Sequence, residues 1–274
     1  MIGAIIGDII GSPYEFDHNN IKTTEFPLFS RKSYFTDDTV ITLAVAEALM
    51  NAYSMEDLLE EELIACMQYH GRKYPYAGYG IMFGRWLFEE DPQPYNSFGN
   101  GSAMRVAPVA WLYDDLESVE HYAAITAKVT HDHPEGIKGA QAVAAAIYMA
   151  RRDFSKDQIR NYITEKYGYT FDRTCDEIRP TYHHVESCQE TVPEALTAFF
   201  EGNSFEEVVR LAVSLGGDSD TLTAIAASVA EAYYPIPAKI WMQALCYLED
   251  DQLEILARFN RFRIDLGTEM TFDE

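Results

Sequence analysis

The run Thr36-Asp37-Asp38-Thr39-Val40-Ile41-Thr42-Leu43-Ala44-Val45-Ala46-Glu47-Ala48-Leu49 repeats its apolar residues at helical rather than strand spacing. Ile41, Ala44, Val45, Ala48 and Leu49 fall at i, i+3, i+4, i+7 and i+8, one stripe on a 3.6-residue period. Leu58, Leu59, Leu63 and Cys66 continue the theme after Ser54-Met55-Glu56-Asp57, a capping sequence. Similar starts stand at Ser155 with Gln158, Thr191 with Glu194 and Ser204 with Glu207. Helices are predicted over 134–152, 155–166, 191–201, 204–215, 219–233, 236–248 and 250–260. Alternating strand patterns are nearly absent, so the fold class is all-α.

No linker rich in Gly, Pro or Ser and no fixed-period repeat divides the chain, and a single domain over 1–274 is expected. Two stretches, 90–101 and 167–190, read as loops decorating that domain. Hydrophobic residues make up 47% of the 274, enough for a substantial core and against disorder. Forty-four acidic and 21 basic residues give a net charge of −23. Such a surface repels phosphate backbones and anionic lipid, so neither nucleic acid nor membrane is an expected partner. An anionic small molecule remains possible where the site supplies local positive charge. Cys66, Cys175, Cys188 and Cys246 form no CxxC pair, and Cys66 and Cys246 sit in apolar helical patterns as ordinary buried thiols. A cytoplasmic monomer is expected. The opening Met1 to Asp8 lacks the basic residues of a signal peptide, and no apolar run approaches the roughly 20 residues that span a bilayer.

Two acidic motifs carry the chemistry. Thr36-Asp37-Asp38-Thr39 precedes the helix beginning near Val40, and Gly216-Gly217-Asp218-Ser219-Asp220-Thr221 leads into the helix of 219–233. Thr, Ser and Asp are favoured N-caps, and acidic residues in a first turn complement the helix dipole. A cap needs one side chain, however, and each motif supplies at least three that bear oxygen. Oxygen-only donors without Cys or His suit Mg²⁺, Mn²⁺ or Ca²⁺. Four carboxylates exceed what one Mg²⁺ needs, and two ions sharing them at roughly 3.5–4 Å resolve the excess. In Gly7-Asp8-Ile9-Ile10-Gly11-Ser12-Pro13-Tyr14-Glu15-Phe16, glycines four apart permit close helix packing. Asp8 and Glu15 lie there in apolar surroundings that raise a carboxyl pKa, which makes both candidate acids or bases.

With Gly99-Asn100-Gly101-Ser102-Ala103-Met104-Arg105 and Thr130-His131-Asp132-His133-Pro134-Glu135, these motifs resemble, in order and over nearly the whole chain, the ADP-ribosylglycohydrolases. The resemblance implies a compact orthogonal multi-helix bundle and cleavage of the glycosidic bond between ADP-ribose and a protein side chain or small molecule. It implies two divalent cations, Mg²⁺ or Mn²⁺, held by Thr36, Asp37, Asp38, Asp218, Asp220 and Thr221. Glu15 falls on the family's mobile catalytic glutamate, with Asp37 and Asp218 as the other catalytic candidates. Asn100, Gly101, Ser102 and Met104 match a loop lying against ADP-ribose, whose backbone N–H groups would cradle the pyrophosphate. His131 matches a histidine contacting the same ligand. Arg105 either offsets substrate phosphate or, as the favoured reading, anchors a buried carboxylate. Phe98 and Tyr79 are candidate stacking partners for adenine. Cys175, His183, His184 and Cys188 match no zinc pattern and are read as part of the loop rimming the pocket. The partner is then an ADP-ribosylated protein or small ADP-ribosyl conjugate. A catalytically silent ADP-ribose-binding protein and a metal-dependent nucleotide or sugar phosphohydrolase are the alternatives.

Overall fold

The computed structural model describes residues 1–267. Among them there is no strand, only an isolated antiparallel bridge between Gly99 and Ser187. The helices are α1 (Ile2–Gly11), α2 (Asp37–Asn51), α3 (Glu56–Lys73), α4 (Ile81–Trp86), α5 (Gly101–Met104), α6 (Ala107–Leu112), α7 (Leu116–Lys128) and α8 (Pro134–Arg151). They are followed by α9 (Lys156–Tyr167), α10 (Cys175–Ile178), α11 (Cys188–Glu201), α12 (Phe205–Leu215), α13 (Ser219–Tyr233), α14 (Ala238–Leu245) and α15 (Asp250–Leu266).

Helix α13 is the axis of the fold and packs against α1, α8, α11 and α12. Every residue from Ser219 to Ala230 is buried, so its environment is protein on all sides. The close approach of α1 comes from glycine: a β-carbon on Gly7 would run into the Thr223 carbonyl, and Gly3 and Gly11 face Ala227 and Ser219 in the same way. Helix α2 is also enclosed all round from Asp38 to Ala46, more fully than the single stripe in its sequence suggests. Small residues make this possible, as in the Ala142–Ala146 run of α8, which is wholly buried.

Several local expectations needed correction. Ser54 does not cap α3: it takes a left-handed φ of 67° and the helix starts at Glu56 without a side-chain cap. Thr191 and Glu194 lie inside α11, which begins three residues earlier at Cys188 and carries Pro193 within it. The last helix runs past 260 to Leu266, whereas 236–248 shrinks to Ala238–Leu245. Within the supposed loop 167–190, Thr174 and Glu177 form a reciprocal capping box that starts α10. Cys246 is exposed rather than buried. No helix of the described residues is long and apolar enough to cross a membrane.

Candidate metal-carboxylate site

The two acidic motifs meet because α2 and α13 present their N-termini to one point. Gly216 and Gly217 adopt consecutive left-handed φ of 76° and 74°, a turn that side-chain-bearing residues resist. It delivers Asp218 to the N-cap of α13, yet the carboxylate makes no capping hydrogen bond. Instead it accepts from Asn100 Nδ2 at 2.7 Å. At α2 the capping is done by Thr36, whose hydroxyl accepts from Asp38 N at 3.3 Å. Asp37 and Asp38 are thereby left for other work.

Asp8 supplies the frame. Its carboxylate accepts from Thr36 N at 2.9 Å, Thr36 Oγ1 at 2.7 Å, Thr39 N at 3.1 Å and the Thr39 hydroxyl. Four donors on one buried carboxylate fix the first turn of α2 against α1. Asp8 thus holds the Thr36–Thr39 segment in place, and its candidacy as acid or base gives way to that role. Thr221 Oγ1 donates to Asp38 Oδ2 at 2.9 Å and ties the α13 motif to the α2 motif.

Oxygen atoms of Asp8, Asp38 and Asp220 lie within 4.8 Å of one another, as do those of Glu15, Asp218 and Asp220. Asp220 belongs to both sets, so two adjacent positions share it. Asp38 Oδ1 is buried without a hydrogen-bond partner. An orphaned anionic oxygen there is costly unless a cation completes it. Burial first, then repulsion from Asp220, drives the Asp37 and Asp38 carboxyls well above the usual carboxylate range. Burial and the Asp218 charge do the same to Asp220. Burial lifts Asp218 to about 7, and burial with the Asp220 charge lifts Glu15 to about 8. Concentrated anionic oxygen without Cys or His fits hard divalent cations.

Glu15 follows the 3-10 turn Ser12–Tyr14 and precedes Phe16, which holds a left-handed φ of 63°. Asn20, unmarked in the sequence reading, secures this bend. Its Nδ2 donates to Tyr14 O at 2.8 Å and Phe16 O at 2.9 Å, and Gly217 N donates to its Oδ1 at 2.7 Å. One amide therefore couples the Glu15 bend to the glycine turn before Asp218. His184 N donates to Asp17 at 2.7 Å, and the His184 ring lies 5.0 Å from that of Phe16.

A cavity of about 510 Å³ opens over these carboxylates. Glu15, Asp37, Asp38, Asp218, Asp220 and Thr221 line it together with Tyr79, Asn100, Gly101, Met104, Arg105 and His131. Two other hollows, of about 640 and 520 Å³, are slightly larger, but neither gathers several buried carboxylates. Ser102 and Phe98 are outside the lining. The Ser102 hydroxyl donates to Gly136 O at 2.7 Å, and the Phe98 ring packs on His133. The expected backbone cradle is also reduced. Asn100 N donates to Glu186 O, Gly99 N to Ser97 Oγ, and Ala103 N and Met104 N to Asn100 O.

Arg105 anchors no carboxylate, contrary to expectation: it donates to Thr126 O at 2.9 Å and Thr130 Oγ1 at 2.7 Å. Its Nε has no partner, and burial lowers its pKa to about 10. Burial, helped by Arg105, holds His131 well below its ordinary pKa, so the ring is neutral. The four Cys and His of 175–188 do not converge: Cys188 Sγ donates to Gly99 O, while His184 Nε2 pairs with Glu186 at 3.0 Å.

Residues 1–269 match the ADP-ribosylglycohydrolase family, and the chain belongs to it. It is a hydrolase of that class. It is 26% identical to the ADP-ribosylhydrolase ARH3 of Homo sapiens, over 85% of this chain and 84% of that one. It is 25% identical to the ADP-ribosylarginine hydrolase Tri1 of Pseudomonas putida, over 86% of this chain and 70% of the relative. A solved structure of an ADP-ribosylglycohydrolase-related protein complex shares the fold, with a TM-score of 0.71 at 24% identity over 96% of this chain and 95% of that one.

Proposed function

We propose that this chain uses two divalent cations, Mg²⁺ or Mn²⁺, to hydrolyse the glycosidic bond joining ADP-ribose to a protein side chain or small molecule. The observation that carries the reading is the pair of carboxylate sets, Asp8–Asp38–Asp220 and Glu15–Asp218–Asp220, that share Asp220, together with the orphaned Asp38 Oδ1. Asp37, Asp38, Asp218 and Asp220, with the hydroxyls of Thr36 and Thr221, would hold the ions. Bound there, the cations would supply positive charge to fix the ribose hydroxyls and polarise the substrate. The names of the relatives support the reaction class.

The chain's own groups have separable roles. Glu15, raised to about 8, can hold or take a proton near neutral pH and stands at the carboxylate end of the cavity. Asp37 or Asp218 is the other candidate to take the proton of the attacking water. Arg105 is the one lysine or arginine among the described lining residues, which favours the reading that it offsets phosphate charge. Neutral His131 offers a hydrogen bond without adding charge, and the Tyr79 ring supplies an apolar wall.

The deciding assay incubates the purified protein and Mg²⁺ or Mn²⁺ with arginine-linked, serine-linked and O-acetyl ADP-ribose, and reads free ADP-ribose by mass spectrometry. Metal-dependent release that vanishes in Asp218→Ala is expected. ADP-ribose binding without release would identify a silent binding protein, and inorganic phosphate as product would identify a phosphohydrolase.

A further inference from the structure

Residues 63–88 contain no Asp or Glu, the longest acid-free run in a chain that has 44 of them. The run carries Arg72, Lys73 and Arg85, and it leaves large apolar side chains in solvent: Tyr76 is 97% exposed, Ile81 77%, Phe88 63% and Met82 55%. Tyr76 and Phe88 line one groove and Ile81 and Met82 the neighbouring carboxylate cavity, and exposed apolar side chains clustered in this way mark an interaction site. Its placement is specific. Tyr76, Tyr79, Leu87 and Phe88 line a groove of about 400 Å³, and Tyr79 and Gly78 also line the carboxylate cavity. Tyr79 is thus a wall common to the groove and the site. The Arg72 guanidinium sits 5.7 Å over the Phe88 ring, and Arg85 has no ion pair among the described residues.

We infer that this shelf docks the polypeptide carrying the ADP-ribosyl group, a reading that rests on the proposed hydrolysis. An apolar side chain near the modified residue enters the Tyr76–Phe88 groove, and an acidic neighbour meets Arg85. Two features choose this occupant. The groove adjoins the cavity across Gly78 and Tyr79, so a chain whose modified residue reaches the carboxylates passes over it. Lys73 is paired with Asp251 at 2.6 Å, but Arg72 and Arg85 meet no carboxylate among the described residues, so these two cations complement an acidic flank. A second copy is disfavoured, because a two-fold pairing would bring the Arg72 and Arg85 charges of both copies together with no acid in the run to offset them.

The test compares one linkage in two settings: an ADP-ribosylated ten-residue peptide with an acidic and aromatic flank, and the same ADP-ribosyl amino acid alone. In Tyr76→Ala/Phe88→Ala and in Arg85→Glu, kcat/KM on the peptide is expected to fall roughly tenfold through KM. The free conjugate should be hydrolysed as by the wild type. Equal losses on both substrates would assign the shelf to the ADP-ribose pocket and overturn the proposal, as would no loss on either. A concentration-dependent dimer abolished by Tyr76→Ala would reassign it to a second copy. Failure of the wild type on both substrates would instead remove the proposed hydrolysis itself, and docking with it.

Discussion

Glu15 and Asn20 divide the work at one bend. Glu15→Gln keeps the shape of the side chain and removes its acid–base capacity. Turnover is expected to drop about a hundredfold or more, the size of a lost general acid or base. Binding of Mn²⁺, followed by calorimetry, should stay close to wild type; full turnover in the variant would cancel the role assigned to Glu15. Asn20 touches no carboxylate, so its loss acts through position. With the Tyr14 and Phe16 carbonyls released, Glu15 is no longer held against the Gly217 turn. Asn20→Ala is therefore expected to lower kcat by roughly tenfold with little change in KM, because small misplacements of a reacting group are expensive. A change confined to KM would instead mean that the bend shapes binding.

At the level of elements, the contact of α1 with α13 decides where Asp8 stands. A methyl group on Gly7 collides with the Thr223 carbonyl, which is backbone and cannot swing aside. Gly7→Ala should cost about 1–3 kcal/mol of stability, as overpacking usually does. Moving α1 also displaces the carboxylate that holds both amides and both hydroxyls of Thr36 and Thr39. Metal affinity is accordingly expected to weaken together with the melting temperature, a coupling that denaturation with and without Mn²⁺ will reveal. A variant with lowered stability but unchanged affinity would show that Asp8 is not the link.

Across the whole molecule, buried carboxylates make stability depend on both pH and metal. Asp8, Asp218 and Glu15 are raised to about 6, 7 and 8, chiefly by burial. Between the unfolded carboxyl range near 4 and these values, the metal-free folded state binds more protons than the unfolded chain, so this contribution is fully present at low pH and is lost as pH rises. Cations reverse the penalty by replacing the protons. The gain in melting temperature from saturating Mg²⁺ or Mn²⁺ over EDTA should therefore grow from pH 5 to pH 8. Taking the difference cancels groups remote from the site. An increment that is flat or shrinks with pH would argue against cations on this cluster.

The helical class, most helix positions and the two acidic motifs were legible along the chain because period, capping residues and carboxylate spacing are local properties. Oxygen-bearing side chains stand within four positions of each other in Thr36–Thr39 and Asp218–Thr221, so their chemistry could be read without knowing where the other motif lies. Three-dimensional packing decided the rest. That Asp8 is a frame, that Arg105 faces Thr126 and Thr130 instead of a carboxylate, and that Ser102 turns to Gly136 all depend on partners 21 to 34 residues away. Asn20 has no local signature at all, since an asparagine in a loop is commonplace and its partner Gly217 is 197 residues distant. Local sequence determined which groups could do chemistry here; the crossing of α1 and α2 on α13 determined which of them share a site, because close packing, unlike periodicity, is a property of pairs of elements.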